Sequence, residues 1–223
     1  MTDGQSVKGY AVPVATDRVR RRRPADERTG QLLDAAEAVL LERGLAATTM
    51  ADVAEAAGVA KGTVYLYFDS KDALLAGLRA RHLGRFVDAV AASMAAGRAT
   101  PATRLDRFVE GLFDFSREHR DLHHMLFHEA GFSEADAFVG VRDMLAELVT
   151  EGAAAGAFEV ADPRLAASFV LDGLHGVLVD AVHGAPAATA RHVAVARDLA
   201  RRSLGAAGTR QPSPPSSTRI GSQ

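Results

Sequence analysis

The chain has no cysteine, no tryptophan, few aromatic residues (6 %) and no long uncharged apolar run. Without cysteine there are no disulfides, no thiolate nucleophile and no cysteine-ligated zinc, and the chain suits a reducing compartment. A membrane span needs about eighteen or more consecutive apolar residues, and no stretch comes near that length. The first twenty-five residues lack the apolar centre of a secretory signal, so a cytoplasmic protein with no membrane partner is expected. A large charge excess is missing as well. The formal net charge is −2, which argues against a protein that coats nucleic acid by bulk electrostatics.

What is present is a 223-residue chain, 48 % hydrophobic, long enough for one large domain or two small ones. Residues 18–23 read RVRRRR, inside a leader with no helical or strand period, so residues 1–23 are expected to form a disordered basic arm. Residues 206–223, rich in Pro and Ser, are expected to be a disordered tail. Between them every apolar pattern has the helical period. Pro24 opens a first helix carrying Leu32, Leu33, Ala36, Val39 and Leu40, and Gly44 stops it. Thr49 with Asp52 three residues on forms a capping box for a second helix, which buries Met50, Val53, Ala54 and Ala57 and ends at Gly58.

A third helix begins near Ala60 or Lys61 and places Val64 and Phe68 four apart on one face, while Thr63, Leu66 and Tyr67 point elsewhere. Two short helices joined by a glycine turn make a helix-turn-helix. With Val64 and Phe68 facing the core, Lys61, Thr63, Tyr65 and Tyr67 lie on or near the exposed side. There a lysine ammonium and tyrosine hydroxyls can donate to phosphate oxygens. Gly62 permits close backbone approach, and Thr63 offers a methyl and a hydroxyl to base edges. Lys71, expected one turn into the next helix, is a further candidate for a phosphate grip.

The stretch TTMADVAEAAGVAKGTVYLYFDSKDALL, residues 48–75, resembles the DNA-binding region of the TetR family of transcriptional regulators, and the resemblance covers residues 28–75. Carried to matching positions, it implies that Lys61, Gly62 and Thr63 approach bases, that Tyr65, Tyr67 and Lys71 hold phosphates, and that Thr49 touches the backbone. One departure is Ala60, which stands where many members have a serine that caps the third helix. Residues 24–75 hold four basic and nine acidic side chains, an unusual balance for a DNA binder. The arm offsets it, and Arg20, Arg21, Arg22 and Arg23 are expected to reach an adjacent minor groove, where negative potential is concentrated.

Beyond residue 71 a long helix is expected from Asp72 to Met94, and another from Pro101 carrying Leu105, Phe108, Leu112 and Phe115. A short helix follows Asp121 and breaks at Gly131. Another runs from Ser133 or Glu134 to about Thr150, before a loop marked by Gly152 and Gly156. The last two run from Pro163 and from Ala187 to Leu204. The family pattern implies that the middle helices enclose a small-molecule pocket and that the last two pair with a second subunit. Candidate lining residues are Phe108, Leu112, Phe115, Met125, His128, Phe132, Met144 and Leu148, which suit an apolar or amphipathic effector. A smooth stripe of Ala166, Val170, Gly173, Val177 and Ala181, continued by Val193, Ala196 and Ala200, is the candidate dimer seam.

His119, His123, His124 and His128 crowd one region, but the Arg120-Asp121 pair is expected to break the helix and separate His119 from the rest, so no metal site is expected. No cofactor is implied. In GVAKGT the lysine precedes the glycine, and the segment lies between helices, so it is no phosphate loop; GFSEA lacks the second glycine of a nucleophile elbow. An enzyme is therefore not expected. The sequence reads as all-α with about nine helices: a three-helix DNA-binding domain over residues 24–71 and a helical effector-binding and dimerisation domain over residues 72–205. Its expected role is a repressor, bound as a homodimer to a palindromic double-stranded DNA operator and released by a small molecule. The alternative is an activator or a regulator that needs its effector to bind.

Overall fold

A computed structural model describes residues 24–95, 97–129, 138–183 and 186–206. Among these residues there are nine α-helices, one π-helical turn and no strand. The N-terminal head consists of α1 (Pro24–Ala47), α2 (Met50–Ala56) and α3 (Lys61–Tyr65). The body follows as α4 (Lys71–Ala95), α5 (Pro101–Glu118), α6 (Arg120–His124), a π turn (Met125–Glu129), α7 (Val139–Ala154), α8 (Pro163–His183) and α9 (Pro186–Ser203). No described helix is long and apolar enough to cross a membrane. The basic arm, Arg20 to Arg23 included, and residues 207–223 of the Pro/Ser tail lie outside the described residues, while Ala206, expected to begin the disordered tail, is buried and its amide donates to the Arg201 carbonyl at 3.0 Å.

Local chemistry explains the head. Helical hydrogen bonding continues past Gly44 to Ala47, but Gly44 takes a positive φ of 78° and kinks α1 at the expected stop. The capping box at α2 is complete: the Asp52 amide donates to the Thr49 hydroxyl, and the Thr49 amide donates back to the Asp52 carboxylate. Ala60 caps α3 with no side-chain hydrogen bond, as its missing hydroxyl requires. Val64 and Phe68 are buried with Leu32, Leu40, Val53 and Leu74 in the hydrophobic core.

The first half of α4 belongs to that core as much as to the body, because Leu74, Leu75 and Leu78 are buried in it. Lys71 is the first residue of α4, not one turn inside it, since the Ala73 amide donates to the Ser70 hydroxyl as a cap. Gly77 makes the close contact possible: a Cβ there would stand 2.9 Å from a Phe68 ring carbon. Arg81 of α4 donates to Asp34 (2.6 Å), to Glu37 and to the Leu33 carbonyl (2.9 Å), while Arg85 reaches Glu37 at 2.9 Å. Head and body thus share one helix and a partly buried set of ion pairs.

In the body α5 is central, with Leu105, Phe108, Leu112 and Phe113 buried against α4, α7 and α9. Asp106, buried on α5, accepts from Arg197 at 2.9 Å and from Arg201 at 2.7 Å, fastening α9. The α7 helix runs to Ala154, past the expected end near Thr150, and Gly152 lies inside it instead of in a loop. The reason is packing: a Cβ at Gly152 would sit 2.2 Å from the Phe158 ring, so glycine lets the following chain fold back onto the helix. The turn itself falls at Gly156, where φ is 68°.

Candidate nucleic-acid interface and effector-side core

The recognition segment divides by face. Val64 and Phe68 anchor α3 from below, while Lys61, Gly62, Tyr65 and Tyr67 are exposed and Thr63 is half-buried. The Lys61 ammonium lies 5.9 Å from the centre of the Tyr65 ring, within cation–π reach, so cation and phenol form one flank. Thr49 is exposed, but its hydroxyl is already engaged, donating to Asp52 at 2.6 Å. The Asp52 carboxyl is held below its usual pKa, first by that hydroxyl and next by the Thr49 amide, with Arg43 at 2.7 Å adding to it. Lys71 donates to the Leu45 carbonyl, which ties the start of α4 to the end of α1. An ammonium carries three donors, so this bond leaves two for an anion.

Leu66, which the spacing already turns away from the Val64 and Phe68 face, was given no role by sequence reasoning. It is 83 % exposed, more than any other large apolar residue among those described. The available signal was its position two residues from both Val64 and Phe68, which turns it away from the core.

On the body side, Phe108, Leu112, Phe115 and Leu148 are buried in the common core, and Met125 and Met144 are partly buried against it. Phe132 and the side chain of His128 lie outside the described residues. The expected separation of His119 from its neighbours does not occur. The helix does break at His119 (φ −111°, ψ 22°), but α6 then returns so that His119 and His123 both face His82, at ring-centre distances of 6.1 and 5.4 Å. His82 Nε2 and His123 Nδ1 are 3.2 Å apart, and His82 Nδ1 is buried with no hydrogen-bond partner among the described residues.

His82 is 2 % exposed. Its pKa is pushed down to about 3, mainly by burial and then by His123, His119 and Arg85, so the ring is neutral at ordinary pH. His82 was missed in the sequence although it sits between Leu78 and Phe86 at four-residue spacing on the buried face of α4. Among the described residues no three His, Asp or Glu side chains are grouped to hold a metal ion.

The expected dimer stripe needs correction. Val170, Ala181, Ala196 and Ala200 are buried inside the protomer, and Ala166, Val177 and Val193 pack partly against the same core. Within the protomer α8, α9 and α5 are in mutual contact, and small residues suit that close approach. Of the eight residues only Gly173 is exposed. The open face of α8 carries Leu165 (68 % exposed), Phe169 (72 %), Gly173 and Gly176, and that of α9 carries Val195 and Leu199.

Two family descriptions match in tandem: "Bacterial regulatory proteins, tetR family" over residues 32–78 and "Tetracyclin repressor-like, C-terminal domain" over residues 98–179. The chain belongs to the TetR family. TetR-family relatives include the transcriptional activator FasR of Mycolicibacterium smegmatis, 33 % identical over 137 residues, or 60 % of this chain and 61 % of that relative's length. The repressor KstR2 of Mycobacterium tuberculosis is 39 % identical over 103 residues, 44 % of this chain and 47 % of its own. The fatty acid degradation regulator FadR of Bacillus halodurans has a solved structure that superposes with a TM-score of 0.62 at 27 % identity, covering 86 % of this chain and all of that one. The two relatives FasR and KstR2 are named as regulators of transcription, and the family description that this chain matches over residues 32–78 is that of bacterial regulatory proteins.

Proposed function

We propose that the chain is a ligand-responsive repressor that binds a palindromic operator as a homodimer and leaves it when a small molecule binds the body. The observation that carries this reading is the two-sided α3: an apolar anchor of Val64 and Phe68 beneath, and Lys61, Gly62, Thr63, Tyr65 and Tyr67 facing out. Thr63 and the open backbone at Gly62 address base edges. Lys61, Tyr65, Tyr67 and the two remaining donors of Lys71 grip phosphates. A palindromic operator presents half-sites about 34–36 Å apart and so requires two heads. The second copy seats on the face of Phe169, Leu165, Val195 and Leu199, whose exposed apolar surface supports a subunit contact.

The effector is apolar or amphipathic and enters the body near Phe115, Met125 and Met144, beside His82. Coupling follows from α4, which carries His82 and Phe86 toward the body and Arg81 and Arg85 toward α1. A ligand that favours a shifted α4 repositions the heads by its differential affinity for the two forms. Such a regulator works beside the chromosome, in the cytoplasm.

The test is binding of the full chain to DNA flanking its own gene, repeated with fatty acids, the compound class suggested by the fatty acid degradation regulator among its relatives. Specific binding that these compounds weaken is the expected outcome; no preference for any duplex would end the proposal. Tyr67→Phe should weaken all sequences alike, and Thr63→Ala should change the order of preference. A second reading, activation, is favoured by the activator FasR, and a promoter-reporter fusion decides the sign.

A further inference from the structure

We propose that Leu66 is a specificity-determining residue that reads thymine C5-methyl groups in the major groove. The inference rests on the reading above that the outer face of α3 meets the duplex. At 3.6 residues per turn, Leu66 lies about 180° from the mean direction of Val64 and Phe68, so it is the side chain most directly opposed to the core. Its exposure of 83 % agrees with that direction.

The direction is fixed by backbone, not by a frayed end. Leu66 keeps helical angles (φ −70°, ψ −22°), and its amide donates to the Gly62 and Thr63 carbonyls, both at 3.2 Å. The next two amides, Tyr67 and Phe68, both donate to Val64 at 3.0 Å, so the buried anchor and the outward leucine belong to one hydrogen-bonded turn.

The surroundings select a duplex as the occupant. Tyr65 and Tyr67 lie about 100° to either side of Leu66 around the helix, each carrying a hydroxyl, with the Lys61 ammonium beside Tyr65. Those donors suit the two phosphate rails that border a groove. One turn earlier, Gly62 has no side chain, and nothing lies within 4 Å of where a Cβ would stand, so a groove floor can come close. A leucine has neither donor nor acceptor. The one apolar feature on a base edge in the major groove is the thymine methyl, which makes it the complement of an isobutyl group held between two polar flanks. Single exposed leucines are ordinary on protein surfaces; this one is set apart by its place at the centre of the DNA-facing side.

The experiment uses the full chain to select duplexes from a randomised pool. The best are then resynthesised with deoxyuridine in place of thymidine, one position at a time, which removes a methyl and keeps the pairing. Wild type should lose about fourfold in affinity per methyl removed at one or two positions in each half-site. Leu66→Ala should bind more weakly and treat thymine and uracil alike there, while Leu66→Met, which keeps the hydrocarbon, should retain the discrimination. An exposed position makes unfolding of either variant avoidable, and an unchanged thermal midpoint verifies it. Enriched duplexes whose methyl dependence is absent, or is the same in Leu66→Ala, overturn the assignment alone. Failure to enrich any duplex overturns the DNA-facing reading, and this assignment with it.

Discussion

The head and the body of this protein use the same helical grammar for opposite ends. In the head, α3 and the turn after it keep only Val64 and Phe68 inside and turn a phenol pair, an ammonium and a bare leucine outward. In the body the corresponding chemistry is turned in: His82, Phe115 and Phe127 are buried as a cluster of rings, with His82 Nδ1 left without a partner among the described residues. Exposed groups in the head keep their hydration until a ligand replaces it. Buried ones in the body have lost theirs and are satisfied only by neighbours. The two regions therefore answer differently to substitution and to pH.

Removing the anchor gives the largest expected effect. Phe68→Ala opens a cavity between α3 and α4 where Gly77 now meets the ring, and should cost about 3 kcal/mol or more, read as a lowered denaturation midpoint and lost DNA binding together. Cutting the body's staple comes next. Asp106→Ala leaves Arg197 and Arg201 without their buried carboxylate; because both guanidiniums are partly solvated, about 2 kcal/mol is expected, with α9 loosened in hydrogen exchange. Equal protection of α9 in variant and wild type would count against that role.

The pH response separates the regions further. The folded pKa of His82, about 3, lies below the 6.5 of an unhindered imidazole, so on acidification the unfolded chain takes up a proton that the folded chain refuses. Stability from this group is complete above about pH 6.5 and falls between there and pH 3, by up to about 1.4 kcal/mol per unit. His82→Phe should flatten that acid limb in urea titrations at a series of pH values, and parallel curves for the two proteins would refute the assignment. The smallest change concerns the head alone: Ala60→Ser supplies the absent α3 cap and should add about 0.5–1 kcal/mol, measurable as a higher midpoint.

Much of the head was legible from its residues. The Thr49–Asp52 box, the Gly44 and Gly58 turns, the uncapped start at Ala60 and the burial of Val64 with Phe68 all appear where the spacing places them. The body was legible in its elements but not in its faces. A stripe of small residues on α8 and α9 reads equally well as a subunit seam or as an internal contact, and four of its members are buried inside the protomer while Phe169 and Leu165 stay open. The histidines near residue 120 were conspicuous, yet the ring that His119 and His123 face, His82, stands 41 residues from His123.

The sequence by itself determined the helices, their caps and stops, and the inner face of α3, because those depend on groups three or four residues apart and on the backbone freedom of single glycines. Only the tertiary structure decided that Lys71 ties to Leu45, that Asp106 receives Arg201 from 95 residues away, and which flank of α8 remains open. Such pairings follow from the angles at which finished helices cross, and side-chain spacing along one helix carries no record of its neighbour's direction.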